Sequence, residues 1–350
     1  MKKILFTGGG SAGHVIPNIA LIEELLSEGE TDVCYMGTDG IEKDIVAEWK
    51  IPYYTIACPK LIRGGGWENF KKNLRIPAAL HRAVKQAEEG LKKFQPNLVF
   101  SKGGYVSLPV VLAARKLKIP CYSHESDFSA GLANRLIARK CVRVFTSFPE
   151  TANNIPHGKY SGAPLRPSLF SATRAEARRK LDIPFHATVL LVFGGGSGSA
   201  AVNQAIRKHL KALTENYYIL HVCGKGNAVK TNLNNYRQFE FVADMGGLYA
   251  CADLVISRSG AGTVFEILAM KKPALFIPLE GQTRGDQWEN AEYFRRKGLC
   301  RILPQSDLKN LPNAIAQTLA DAELKSKLQE SNFGKGNANI LRELRAALRS

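Results

Sequence analysis

Cysteine is sparse in this chain, and so are the patterns that would give it a task. The seven cysteines (34, 58, 121, 141, 223, 251 and 300) form no CxxC pair, and their number is odd. A disulfide framework or a zinc site needs closer spacing, so reduced cysteines in a cytoplasmic core are expected. No apolar run approaches the roughly 18 residues of a membrane span. The apolar stretch after Met1-Lys2-Lys3 is too short for a signal peptide and runs straight into glycine. Low-complexity segments and short-period repeats are also missing, which leaves ordinary globular architecture. A soluble, cytoplasmic, basic protein is expected.

The 350 residues suit about two domains, and 45% hydrophobic with 23% charged residues is a composition able to fill two cores. Lysine and arginine number 48 against 31 acidic residues, a formal charge of +17. That excess favours an anionic partner: a phosphate ligand, nucleic acid or an acidic membrane surface.

Apolar β-branched runs at 4–7, 33–36, 97–101, 119–123 and 142–147 read as buried strands. Between the first two lies an amphipathic helix over 18–28, with Ile19, Ile22, Leu25 and Leu26 on one face. The alternation restarts after 185, with strands at 188–193, 217–222, 253–257 and 273–277 and helices near 199–213, 262–271 and 286–297. Such alternation predicts two doubly wound α/β domains with parallel sheets, binding ligands at the carboxyl ends of the strands in a shared cleft. The Pro/Gly-rich stretch 156–168 reads as the break between them. Residues 335–349 form a basic helix with Ile340, Leu341, Leu344 and Leu348 at helical spacing.

Both halves open with a strand ending in glycine: Gly8 to Gly13 in one, Gly194 to Gly198 in the other. Gly8-x-Gly10-x-x-Gly13 alone fits a dinucleotide fingerprint, with Asp39 as the ribose carboxylate, and so leaves an NAD-dependent oxidoreductase open. His14 follows at the first helical turn, as a packing histidine or as a general base. Ser101 to Ser107 makes a second glycine turn, and His124-Glu125-Ser126-Asp127 follows another strand as a loop of ionisable residues. In the second half, Ser257-Arg258-Ser259-Gly260-Ala261-Gly262-Thr263 exposes backbone N–H groups at a helix start that can hold a pyrophosphate. Glu266, one turn on, can accept hydrogen bonds from ribose hydroxyls or simply complement the helix dipole. Asp286, Gln287 and Asn290 open a later helix and can read sugar hydroxyls. Residues 60–93 hold nine Lys or Arg against three Glu. Apolar Leu61, Ile62, Trp67, Phe70 and Leu74 lie among Lys71, Lys72 and Arg75 as a solvated face or a membrane-docking patch. No nucleic-acid-binding module is recognisable, so nucleic acid is not an expected partner.

Taken together, GGGSAGHVIPNIAL, SKGGYVSLPVVLAA, IPCYSHESDFSAGLANRLIA, GGGSGS, DLVISRSGAGTVFEILA and RGDQWENA stand in the order found in one family. Over essentially its full length the chain resembles the MurG-type glycosyltransferases of peptidoglycan synthesis. The resemblance implies a GT-B fold of two Rossmann-like domains, residues 1–160 with the tail 335–350 packed back on them, and residues 161–334. It implies transfer of N-acetylglucosamine from UDP-GlcNAc to the C4 hydroxyl of the muramoyl sugar of lipid I. The product is lipid II, with inversion and with neither metal nor cofactor.

Glu266 would hold the ribose and Val242 the uracil. Arg166, Gly196, Ser197, Ala261, Gly262 and Thr263 would meet the diphosphate and sugar, with Asp286, Gln287 and Asn290 reading GlcNAc. Ser11 and Asp127 would also serve the donor. Gly9, Gly10, Gly13, Gly103, Gly104 and Tyr105 would receive the acceptor diphosphate, with His14 as general base and Glu125 as its competitor. The 61–75 patch would dock on the anionic inner leaflet, placing the protein on the cytoplasmic side of the membrane with other cell-wall synthesis proteins. Many members carry HEQN where this chain has His124 to Asp127, and GGSQG where it has a shifted run at 195–198. Remaining readings are a GT-B transferase with another UDP-sugar or lipid acceptor, and a non-catalytic UDP-sugar-binding scaffold.

Overall fold

A computed structural model describes residues 1–60, 71, 73, 74, 76–196, 198–281 and 286–349. The chain forms two compact units, Met1–Arg166 with Gly334–Ser350, and Pro167–Phe333. The first is built on strands β1 (Lys2–Thr7), β2 (Thr31–Gly37), β3 (Tyr53–Thr55), β4 (Leu98–Ser101), β5 (Cys121–Glu125), β6 (Arg143–Thr146) and β7 (Gly158–Tyr160). Among the described residues they make one parallel sheet in the order β3-β2-β1-β4-β5-β6-β7.

Alternation along β1 sends Ile4 and Phe6 to one face and Leu5 to the other, and both faces are covered. On one side, Ile4, Phe6, Val33 and Phe100 pack under Ile19, Ile22 and Leu25 of the helix Ile16–Glu28. The tail helix Gly336–Arg349 joins that layer through Ile340, Leu341, Leu344 and Leu348. Leu26 stays exposed. On the other side, Leu5, Met36 and Val99 meet Ala87 and Leu91 of the helix Ile76–Phe94 and Val110 of the helix Ser107–Lys116.

The first unit runs to Arg166 rather than to 160. Buried Asn337 of the tail helix accepts from Leu165 N at 2.8 Å and donates to Leu165 O at 2.9 Å, and Asn339 donates to Ser161 O. These bonds tie 161–165 to the tail. Nor is 156–168 merely a linker, because β7 lies inside it and pairs with β6.

The second unit comprises β8 (Val189–Phe193), β9 (Tyr218–Val222), β10 (Tyr236–Phe239), β11 (Leu254–Ser257), β12 (Ala274–Phe276) and β13 (Arg301–Ile302). They pair in parallel as β10-β9-β8-β11-β12-β13 among the described residues. The helix expected over 199–213 is two helices, Ala200–Lys208 and Leu210–Asn216, because His209 leaves helical geometry at φ −105°, ψ 8°. Ser199 caps the first of them by accepting from Val202 N. Fully buried Arg178 fixes the start of β8. Its guanidinium donates to the carbonyls of Pro184, Phe185, Ala187 and Cys251 and pairs with Asp253 at 2.9 Å. All seven cysteines are free; six are buried and Cys58 is half-buried.

His221 in β9 is fully buried, its ring 2.8 Å from Tyr236 Oη and 2.9 Å from Asn203 Oδ1. Burial lowers its pKa to about 4, with the Arg207 charge adding to the effect. Below the ordinary histidine value of about 6.5, protons therefore go preferentially to the unfolded chain. The stability supplied by the neutral ring is present above pH 6.5 and lost progressively towards pH 4. Urea midpoints should fall over that window, and His221→Gln should flatten part of the slope; an unchanged slope in the variant would contradict this.

Candidate active site

The first unit's functional edge is built where β1, β4 and β5 end. Tyr35 Oη donates to Gly8 O at 2.8 Å, and buried Asn18 donates to Thr7 O and Tyr35 Oη, fixing the chain as it leaves β1. The glycines that follow are required by close contacts within the protein. A Cβ on Gly9 would lie 2.5 Å from the Glu42 carboxylate, and one on Gly10 (φ +82°) would lie 2.6 Å from the Tyr105 ring. A Cβ on Gly104 (φ +77°) would sit 2.5 Å from Gly9 O and 3.2 Å from His14 Nδ1. The two glycine turns thus pack on each other with His14 alongside. Its ring is half-buried, with Nδ1 3.1 Å from Ser11 Oγ. Gly13 faces open space apart from Ser11 Oγ at 3.9 Å, whereas Gly103 packs on Asn134.

Glu42, at the start of the helix Ile41–Glu48, is fully buried. It accepts from Gly10 N at 3.1 Å, Thr38 N at 3.0 Å and Thr38 Oγ1 at 2.5 Å. Asp39, the carboxylate of the dinucleotide reading, is exposed and pairs with Lys43 at 2.6 Å.

His124 and Glu125 are not loop residues. They complete β5 and are buried. Burial and the nearby Lys102 charge hold His124 well below its ordinary pKa, so the ring is neutral, with Nε2 3.1 Å from Gly162 O. Both Glu125 oxygens are engaged, Oε1 by Asp127 N at 3.0 Å and Oε2 by Gly131 N at 2.7 Å and Asn134 Nδ2 at 2.9 Å. A carboxylate accepting from three donors braces the 126–134 segment. Lys102 is buried beneath the second glycine turn and donates to Ser126 Oγ at 2.6 Å. Burial lowers its pKa to about 8 against the opposing pull of Glu125 and half-buried Asp127. Arg166 is half-buried and lies near Glu23, whose pKa burial raises and the guanidinium lowers.

The second unit's edge is different. A Cβ at Gly195, Gly196, Gly260 or Gly262 would meet nothing within 4 Å. No protein contact requires these glycines; they leave the backbone bare in front of the helix Ala261–Ala269, whose first N–H groups lack intrahelical acceptors. Ala261 is buried, Gly262 exposed and Thr263 half-buried. Glu266 is half-buried and receives Tyr249 Oη at 3.0 Å. Val242 is half-buried beside exposed Phe241. Arg258 is buried and holds the edge together, donating to Ser199 Oγ, to the carbonyls of Ile277 and Pro278, and to Gln305 Oε1 at 2.6 Å.

Asn290 is fully buried and donates to Ser259 O, while Gln287 Oε1 accepts from Leu279 N and its carbonyl from Ser259 Oγ. Asn290 thereby ties the helix Asp286–Arg296 to the turn at Ser259. Asp286 begins that helix, half-buried. Ser197 lies outside the described residues. So do Leu61, Ile62, Trp67, Phe70, Lys72 and Arg75 of the basic patch; Lys71 and Leu74 are exposed. Among the described residues no three His, Cys, Asp or Glu side chains converge as metal ligands.

Residues 4–146 match the glycosyltransferase family 28 N-terminal domain, and residues 189–344 match the C-terminal domain of the same family. The chain is 38% identical over 351 residues to the UDP-N-acetylglucosamine--N-acetylmuramyl-(pentapeptide) pyrophosphoryl-undecaprenol N-acetylglucosamine transferase of Clostridium perfringens, covering 97% of this chain and 96% of that one. Identity to the Clostridium kluyveri enzyme of that name is 43% over 315 residues, 88% of each chain. The crystal structure of Acinetobacter baumannii MurG aligns with a TM-score of 0.76 at 25% identity, covering 99% of this chain and all of that one. The chain belongs to the MurG family of glycosyltransferases.

The fold is accordingly GT-B-like, two Rossmann-like α/β domains with parallel sheets. In this MurG-family chain the residues that sequence reasoning missed are the ones that hold the turns: Glu42, Lys102, Tyr249 and Arg258. Only Lys102 and Arg258 stood inside a recognised motif. Glu42 carried no signal beyond being an acid in the first turn of a helix. Glu42→Ala strands two backbone N–H groups and should cost about 2 kcal/mol in a denaturant titration. Glu42→Gln, which keeps one acceptor oxygen, should cost roughly half of that.

Proposed function

We propose that this chain transfers N-acetylglucosamine from UDP-N-acetylglucosamine to the C4 hydroxyl of the muramoyl sugar of undecaprenyl-pyrophosphoryl-MurNAc-pentapeptide (lipid I), forming lipid II. The carrying observation is the likeness to transferases of that name across both halves, 38% identical over 97% of the chain. The donor belongs to the second unit. Bare glycine backbone and an unpaired helix N-terminus suit a leaving diphosphate, whose charge the N–H dipoles stabilise as the glycosidic bond breaks. The Glu266 carboxylate, held by Tyr249, suits a ribose diol, and the segment at Val242 suits the base.

The acceptor belongs to the first unit, where Gly13, Ser11 and His14 border open space. In the tautomer whose Nδ1–H donates to Ser11 Oγ, His14 Nε2 carries the lone pair that takes the hydroxyl proton. Attack opposite the leaving group inverts the anomeric carbon.

Among the described residues no helix is long and apolar enough to cross a membrane. Peripheral docking on an anionic inner leaflet through the 61–75 patch fits exposed Lys71 and Leu74. Reversing the charges of Lys71, Lys72 and Arg75 should weaken flotation with anionic vesicles; flotation at the wild-type level would remove this part of the reading.

Label transfer from UDP-GlcNAc to a short-chain lipid I analogue, against UDP-glucose and UDP-GalNAc, tests the activity directly. His14→Ala should lower kcat by roughly 10²–10⁴-fold. Glu266→Ala should weaken UDP binding by roughly 10–100-fold in calorimetry, the loss of charged hydrogen bonds. Near-wild-type turnover in the first, or unchanged UDP affinity in the second, would remove that residue from the role given to it.

A further inference from the structure

A cavity of about 690 Å³ opens beside the first unit's glycine turns, lined by Thr38, Asp39, Cys58, Arg82, Gln86 and Tyr105 among others. It is joined to the turns covalently and by hydrogen bonds. Tyr105 lines the cavity and also covers Gly10, and Thr38 is held by the same Glu42 that accepts from Gly10 N. Cys58 Sγ donates to Tyr105 O at 3.4 Å, tying the cavity wall to the second turn.

We propose that this cavity receives the peptide of the acceptor, an inference that rests on the acceptor assigned above. Its size is that of a pocket enclosing a ligand of a few hundred daltons. Its chemistry is mixed. Ala57, Pro59 and Ala79 supply apolar wall, and Thr38, Asp39, Arg82 and Gln86 supply the polar groups. Asp39 is already paired with Lys43, and Gln86 Oε1 is spent on Ala57 N at 2.8 Å. Arg82 has no ion-pair partner among the described residues, so its guanidinium is the charge left to be matched. A short peptide attached at its N-terminus ends in a free carboxylate and carries amides along its length, which answers both Arg82 and the remaining Gln86 donor. A polyprenyl chain in the same place would supply neither a counter-charge for Arg82 nor an acceptor for the Gln86 donor.

The test uses two short-chain acceptor analogues, one with the full peptide and one whose lactyl carboxyl is capped as the methylamide. With wild-type protein, the capped analogue should show the higher KM. Arg82→Ala should raise KM for the peptide-bearing analogue roughly fivefold, the worth of one solvent-exposed ion pair. It should leave KM for the capped analogue and for UDP-GlcNAc at the wild-type value, and Arg82→Lys should recover part of the loss. Equal wild-type KM for the two analogues, or an equal Arg82→Ala shift on both, overturns the cavity assignment. Failure of wild-type protein to glycosylate either analogue overturns the activity itself.

Discussion

A parallel sheet covered on both faces imposes one constraint on everything else here. Each strand must leave the sheet at its carboxyl end and turn at once into a helix or loop, so all such turns gather along one edge. In both units the candidate residues lie along that edge: after β1 and β4 and at the end of β5 in the first, after β8, β10, β11 and β12 in the second. The buried sheet contributes no chemistry of its own. It fixes the turns to within the precision of its packing, and β1 and β8, central in their sheets, carry the first glycine turn of each unit.

That constraint also decides what the sequence made visible. Strands with neighbours on both sides are buried on both faces and appear as unbroken apolar runs, as in ILF of β1 or VLLV of β8. The four strands that escaped notice, β3, β7, β10 and β13, are the four sheet edges. Their burial is partial, as in Gly158–Tyr160 or Arg301–Ile302, and polar residues break the run. The linker assignment over 156–168 failed for that reason: an edge strand rich in glycine and lysine looks like loop. The tail helix, by contrast, was legible because its four apolar residues obey a single period and all reach the core.

At the candidate site the residue types were legible and their burial was not. His124, Glu125 and Asn290 have the chemistry of ligand-reading groups, but each is buried with its hydrogen bonds directed into the protein. Burial cannot be read from three polar letters after a strand. The converse holds for Glu42, a surface-type residue whose carboxylate closes the first turn. Lys102 and Arg258 show two ways of keeping a cation inside. Arg258 spreads its donors over carbonyl, hydroxyl and amide oxygens, whereas Lys102 leans on one hydroxyl and on the nearby charges of Glu125 and Asp127. In both, burial lowers the pKa and nearby carboxylates offset only part of the desolvation.

The two units share a parallel-sheet architecture and use its glycines differently in part. In the first, Gly9, Gly10 and Gly104 are filled by Glu42, Tyr105, Gly9 O and His14, so no ligand atom can enter where a Cβ would lie. In the second, Gly194 and Gly198 are closed by Ser199 and Cys223 O, whereas the space at Gly195, Gly196, Gly260 and Gly262 is empty of protein among the described residues. A ligand of the first unit must therefore approach outward of the turns and meet side chains, above all His14, Ser11 and Tyr105. A ligand of the second can lie directly on the backbone. Side chains that titrate suit the partner whose hydroxyl must lose a proton, and fixed N–H dipoles suit the partner whose diphosphate must gain negative charge. The shared strand order supplies the frame, and glycines closed by protein in one unit but partly bare in the other accord with the proposal that acceptor and donor meet different halves.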